Sequence, residues 1–242
     1  APTNGGSATL SVSASGVLGS ASSSVTIRPG GVDLIWEAID SYTPPFYKGK
    51  ALHSRQGGLK VVAMPEFVKN GKRISPQNLI YTWGNGVEAY QSQSGYGKNT
   101  LVLNGSILGK DNEIEVLVTD PINNIVAESF LTIRPTDPQI LFYENNPFYG
   151  HNFDQAINTF SLKTAEVQIL AAPYYFSKER SGGLKYDWKL NGTLVPGLSN
   201  SRTAIFKKPE DKSGQSSISL NIENQNRILQ QADANLIMQF EN

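Results

Sequence analysis

Tandem β-sandwiches in an all-β chain are predicted by three observations. A pentapeptide recurs at a fixed interval, apolar residues between its copies alternate at period two, and Tyr-x-Trp stands in the middle of each interval. The pentapeptide is VTIRP at Val25–Pro29 and LTIRP at Leu131–Pro135, a period of 106 residues. A further step of 106 lands on residue 241, so the 242 residues divide into two complete units, 30–135 and 136–242. Residues 1–29 read as the C-terminal hairpin of a preceding unit. Clusters of Asn, Gly, Pro, Asp and Ser interrupt the alternation every eight to twelve residues. About seven short strands in about 106 residues is the size and rhythm of an immunoglobulin-like sandwich.

The elements follow in order. Leu10 and Val12, then Val25 and Ile27, alternate as paired strands do, with Ala8 to Val12 aligned on Glu113 to Leu117 and Ser24 to Pro29 on Phe130 to Pro135. Such a hairpin, parted from its own sandwich, needs a partner for its edges: an upstream unit, the first complete unit or another subunit. Trp36-Glu37 corresponds to Tyr143-Glu144, Pro45-Phe46-Tyr47 to Pro147-Phe148-Tyr149, and Val61–Pro65 to Ile169–Pro173. Leu79–Trp83 (LIYTW) corresponds to Leu184–Trp188 (LKYDW). Asn85-Gly86 and Asn191-Gly192 follow these strands and predict tight hairpin turns. Ile114, Val116 and Val118 then alternate as Ile218, Leu220 and Ile222 do, with turn residues Asp120–Asn124 and Asn224–Arg227 before each last strand.

Trp83 and Trp188, each with a Tyr two residues earlier (Tyr81 and Tyr186), are the expected structural core of the two units. An aromatic buried at a sandwich centre contributes on the order of 4–6 kcal/mol before entropy, comparable to a disulfide. That matters because the chain has no cysteine, which also removes thiolate nucleophiles and zinc–sulfur sites.

Lys plus Arg and Asp plus Glu are both 21, and this balance argues against a nucleic-acid partner. No apolar run is long enough for a membrane span, and no signal-peptide pattern opens the sequence. His53 and His151 are the only histidines and neither has a second His or a carboxylate at metal-ligand spacing. There is no Gly-x-Ser-x-Gly elbow and no calcium-loop spacing. Asp111-Asn112-Glu113 with Asp120 come nearest to a rim calcium site, but they read equally as turn residues. No catalytic residue, metal or cofactor is expected, and the chain reads as a non-enzyme.

The residues with recognition chemistry are aromatic. Phe46-Tyr47 and Phe148-Tyr149 recur in the two units, and Tyr174-Tyr175-Phe176 form a run opposite Glu66-Phe67-Val68. Exposed, they would stack on sugar rings or anchor a protein partner. Buried, the recurring pair is a shared architectural kink and the run is core or interdomain packing.

Tyr81-Thr82-Trp83-Gly84-Asn85-Gly86 resembles the middle strand and Gly-rich turn of bacterial immunoglobulin-like and PKD-like extracellular repeats. The second unit, Tyr186 to Gly192, is closer to a generic immunoglobulin-like strand. Leu34–Glu37, Tyr42–Leu52 and Ser94–Asn99 are similar to segments of exported bacterial tandem-domain proteins. The resemblance implies a tandem-sandwich architecture and export and brings no activity with it; the favoured reading is an extracellular or cell-surface structural or adhesive spacer, with a surface protein or glycan as partner. The alternatives are a carbohydrate-binding module, or a fibre or pilus subunit that self-associates by strand addition through the N-terminal hairpin.

Overall fold

The computed structural model describes residues 8–16, 19–27, 31–178, 183–210 and 212–241. The described residues open with an antiparallel hairpin, β1 (Ala8–Gly16) and β2 (Gly19–Ile27), whose nine pairs run from Ala8↔Ile27 to Gly16↔Gly19. Val25 faces Leu10 across this ladder as Leu131 faces Ile114 in the later hairpin. Ala8 therefore corresponds to Asn112 rather than Glu113. The two hairpins have ladders of equal length but loops of unequal length, and a one-residue slip would exchange the faces of the strand.

The first repeat contains β3 (Val32–Ala38), β4 (Gly58–Pro65), β5 (Val68–Lys69), β6 (Lys72–Arg73), β7 (Ile80–Gly84), β8 (Gly95–Tyr96), β9 (Thr100–Asn104), β10 (Asn112–Asp120) and β11 (Ile125–Ile133). The second contains β12 (Gln139–Asn146), β13 (Gly150–His151), β14 (Thr159–Leu162), β15 (Glu166–Tyr174), β16 (Leu184–Leu190), β17 (Thr193–Leu194), β18 (Thr203–Lys207), β19 (Gly214–Asn224) and β20 (Gln231–Phe240). The sheet orders are β3-β4-β9 and β11-β10-β7-β8 in the first, β13-β12-β15-β18 and β14-β20-β19-β16-β17 in the second, with β5-β6 a separate small hairpin. In the first repeat β3, β4 and β9 share one sheet while β7, β10 and β11 share the other, and β12, β15 and β18 divide from β16, β19 and β20 in the same way in the second. That Greek-key division defines an immunoglobulin-like sandwich, so the chain is a tandem of such folds.

Alternation explains which residues go inside. Tyr81 and Trp83 on β7 pair with Val118 and Val116, and Tyr186 and Trp188 on β16 pair with Ile222 and Leu220, the same register in both repeats. Both tryptophans are fully buried. Each indole nitrogen donates to a main-chain carbonyl, Lys98 for Trp83 and Ser201 for Trp188, both at 2.8 Å, so burial leaves no indole N–H unsatisfied. In the second repeat the core joins both sheets through Phe142, Ile169, Trp188, Phe206, Leu220 and Leu236.

Asn191 and Gly192 both have positive φ (49° and 81°) and close the two-residue turn between β16 and β17. Asn85-Gly86 turns differently. Gly84 bridges Ala89, and the Asn85 side-chain oxygen accepts from Val87 N (3.1 Å) and Glu88 N (2.7 Å), which makes a four-residue loop. Sequence alone does not separate the two because Asn favours both positive φ and side-chain-capped turns.

By compactness the chain separates into two units. Unit 1 holds Ala1–Trp36, Lys60–Val102 and Asn112–Ile133; unit 2 holds Glu37–Leu59, Leu103–Asp111 and Arg134–Asn242. The loop between β3 and β4 thus belongs to unit 2.

Candidate functional site

The run Ile169 to Phe176 in unit 2 is continuously buried, where a strand with one solvated face would alternate. Ile169 and Ala171 point into the sandwich core. Leu170, Ala172 and Tyr174 belong to a second cluster with Tyr143 and Tyr175, against which Tyr42, Leu52 and Phe153 pack. The outer face of the β12-β15 sheet is therefore covered, and the cover includes the loop between β3 and β4.

Main-chain pairing holds that cover. Tyr42 N donates to Phe176 O (2.8 Å), Tyr175 N to Tyr42 O (2.8 Å) and Lys178 N to Asp40 O (2.6 Å). Gln230, 1% exposed, adds a polar knot. Its amide nitrogen reaches Ser54 Oγ (3.0 Å), Arg55 O (2.6 Å) and Ser177 Oγ (2.9 Å), while its oxygen accepts from Ser177 N and Asn224 Nδ2, both at 2.9 Å.

At one side of the cover a cleft of about 790 Å³ opens, walled by Pro44, Phe46, Tyr47, His151, Phe153 and Tyr174, with Lys48 and Asp154 at its margin. The Tyr47 and Tyr175 hydroxyls share a hydrogen bond of 2.9 Å, and the Tyr47 ring meets Tyr174 edge-on at 5.6 Å. The Tyr174 hydroxyl in turn is 2.7 Å from that of Tyr143. Burial, followed by the Tyr143 hydroxyl, raises the Tyr174 pKa. Burial and then the Tyr47 hydroxyl push Tyr175 up to about 12. Burial thus favours the neutral form of Tyr174 and Tyr175. His151 stacks on Phe153 at 5.7 Å with 19° between the planes. Arg202 lies over the Tyr42 ring, 4.6 Å from its centroid, and also bonds the Tyr42 hydroxyl.

The sequence candidates divide by environment. Tyr174, Tyr175 and Phe176 are buried. Phe46 (96% exposed), Phe148 (89%) and Tyr149 (91%) stand in solvent, and Tyr47 is 38% exposed. Phe46, Tyr47 and Tyr174 meet in the cleft. Phe148 and Tyr149 instead form the β12–β13 turn, with both amides donating to the Asn146 side-chain oxygen (2.9 and 3.2 Å). The two Pro-Phe-Tyr segments are not one conformation, since Phe46 has φ 61° and Phe148 is absent from the left-handed region. Tyr42, Phe153, Arg202 and Gln230 are the residues that sequence reasoning passed over, and His151, weighed there only as a metal ligand, stands at the cleft. The signal for a covered outer face was the unbroken apolar run of β15 itself.

Among the described residues no group of three or more His, Cys, Asp or Glu is placed to hold a metal. Asp120 is taken up by its turn, accepting from Asn123 Nδ2 (2.6 Å), Ile122 N (2.9 Å) and Asn123 N (3.2 Å), and these bonds, the Asn123 side chain first, hold its pKa down. Asn224 accepts similarly from Asn226 N (2.9 Å), so the two matching turns share their chemistry. No described helix is long and apolar enough to cross a membrane.

No family model matches the chain, and no curated protein does. Among solved structures it is similar to the three N-terminal domains of the highly immunogenic outer capsid protein of bacteriophage RB49, with TM-score 0.43, 13% identity, and 87% of this chain and 59% of that one covered. It is also similar to the N-terminal four immunoglobulin domains of Dscam1 isoform 7.44, with TM-score 0.30, 11% identity, and coverage of 84% and 47%. For Sidekick-1 immunoglobulin domains 1–5 the values are 0.27, 12%, 96% and 55%. The chain spans between 47% and 59% of the length of these structures, which are tandem arrays of domains.

Proposed function

We propose that this chain is a non-enzymatic structural or adhesive spacer of immunoglobulin-like domains that works outside the cell, as part of an exported bacterial repeat protein, and contacts its partner through loops. The observation that carries this reading is the exposure of Phe46, Phe148 and Tyr149 on turns of a unit whose sheet is covered on both faces. Large aromatics in solvent contribute nothing to packing, and rigid backing lowers the entropy lost when they bind. The sequence-period units 30–135 and 136–242 are the proposed repeating modules.

The test is retention of chain-coated beads on mucin-coated and fibronectin-coated surfaces. Retention on either one, lost in the triple variant Phe46→Ser, Phe148→Ser, Tyr149→Ser with an unchanged melting temperature, is the expected result. Equal retention of the variant overturns the loop-contact reading.

A second reading rests on β1 and β2, which form a two-stranded sheet without a third strand among the described residues. Strand addition through this hairpin would make the chain a fibre or pilus subunit. Sedimentation of the chain and of a version beginning at Gly30 separates the two, because only the fibre reading requires self-association that disappears on shortening.

A further inference from the structure

We infer that the cleft beside the 44–49 loop is a binding site for a neutral oligosaccharide. This rests on the loop-contact reading above and deepens it by naming the ligand class.

Shape comes first. A concave volume of about 790 Å³ lies within the range of small-molecule sites, and it is far larger than a packing defect. It adjoins a second hollow of about 550 Å³ that shares Pro45, His151 and Phe153 but adds the cations Lys178 and Arg202, the latter already engaged by the Tyr42 ring and hydroxyl, so the neutral ligand is assigned to the first hollow.

The walls select the chemistry. Tyr47 is held through its hydroxyl by Tyr175 and through its ring edge by Tyr174, while Phe153 is held by Tyr143 (5.1 Å) and stacked on His151. Rings fixed in this way are preorganised apolar platforms, and the C–H face of a pyranose is a flat apolar surface of matching size. Around them stand Lys48, Asn152 and Asp154, all exposed, which together offer donors and acceptors without net charge. A hydroxyl-rich neutral ligand uses both kinds of group. A phosphate or sulfate would meet the Asp154 carboxylate, and a hydrocarbon would leave the polar margin unused.

Phe46 gives an independent reason to look here. Its ring is 96% exposed, yet its backbone has φ 61°, a region that L side chains larger than Asn rarely occupy. Packing does not require that ring, and Tyr175 next to the same cleft has φ 65° as well. An exposed aromatic held in unfavourable backbone at the cleft, with a second such residue, Tyr175, bonded to the Tyr47 hydroxyl, fits a site whose geometry is maintained for a ligand.

The experiment uses the full chain on an array of neutral and acidic oligosaccharides, followed by calorimetric titration of the best neutral binder. The expected result is binding of at least one neutral oligosaccharide, weakened at least tenfold by Phe46→Ala and by Tyr47→Ala, with Phe130→Ala, an exposed aromatic elsewhere, without effect. Phe46→Ala removes a ring that supports no packing, so its fold is retained and its result stands even if Tyr47→Ala unfolds. Absence of any neutral binder, binding of acidic sugars alone, or undiminished binding in Phe46→Ala overturns the inference. Bead retention that depends on the exposed aromatics but is not competed by the free oligosaccharide would leave the adhesive reading standing and remove the saccharide.

Discussion

Gln230→Ala is expected to destabilise unit 2 by about 3–5 kcal/mol. Gln230 is 1% exposed, and Ser54, Ser177 and Asn224 around it are exposed by 2%, 2% and 5%. Its removal strands the Ser177 amide, one Asn224 side-chain N–H and the Arg55 carbonyl, which lie 2.9, 2.9 and 2.6 Å from the glutamine amide. Each stranded buried group costs about 1–3 kcal/mol, and water entering the vacated volume recovers part of that, which places the total near the lower end. Gln230→Met separates polarity from packing, since it keeps the volume but supplies no donor and no comparable acceptor. It is expected to cost nearly as much as Ala. Amide hydrogen exchange reads the effect locally: protection in β16 and β19 should fall by about two to four orders of magnitude, at about 1.4 kcal/mol per tenfold, while β7 and β10 change far less. A loss below about 1 kcal/mol in both variants would refute the assignment of the knot as what fastens the cover, because hydrated side chains would then be doing the same work.

Trp188→Ala removes a fully buried indole and its bond to Ser201 O, and should lower unit 2 stability by about 3–5 kcal/mol in urea unfolding, with Trp83→Ala doing the same to unit 1. His53 is 1% exposed, and burial, opposed by Asp40, lowers its pKa from 6.5 to about 4. The unfolded chain therefore binds more protons between those values, so the stability is complete above about pH 6.5 and declines by about 3 kcal/mol on acidification toward pH 4, a difference that urea midpoints should show against His53→Gln. On the terminal strand β11, Glu128 lies between Val126 (56% exposed) and Phe130 (66%) on one face, and Glu128→Val should make the chain aggregate, seen as concentration-dependent light scattering without a fall in melting temperature.

The fold class was legible because period-two alternation states directly which face of each strand is inward. Tyr81 and Trp83, like Tyr186 and Trp188, sit two residues apart and face the same way, and the strands they pair with alternate in step. Loops carry no such periodicity. Within Pro-Phe-Tyr nothing distinguishes the left-handed Phe46 from Phe148 in its side-chain-capped turn, because the three residues are identical; the difference lies in the residue before them, Pro44 in one and the capping Asn146 in the other. The one-residue shift of the N-terminal hairpin has a similar origin: Leu10 and Val12 define a face but not a partner, and the loop length decides the pairing. Gln230 was invisible for another reason, since a buried amide is marked by its surroundings and not by its own sequence context.

The two repeats make different use of the segment that follows their first strand, and the site depends on that difference. In the second repeat β14 returns to lie parallel to β20, pairing Thr159↔Ile237 through Leu162↔Phe240, and so covers the edge of its own sheet. Among the described residues the corresponding strand β11 has no such neighbour in the sheet of the first repeat, whose segment from Ser41 to Leu52 belongs instead to unit 2. Composition accounts for the divergence. Thr159-Phe160-Ser161-Leu162 alternates and can donate successive amides, whereas Pro44 and Pro45 have no amide to donate and break any ladder. A segment unable to extend a sheet edge can still bury side chains on a sheet face, and Tyr42 and Leu52 do so against Tyr143, Leu170 and Tyr174. Phe46 and Tyr47 come from one repeat while His151, Phe153 and Tyr174 come from the next, so a single repeat of this sequence has only half of the cleft wall. The proposed cleft is thus completed by a loop that departs from its counterpart in the other sequence repeat, and neither segment walls it alone.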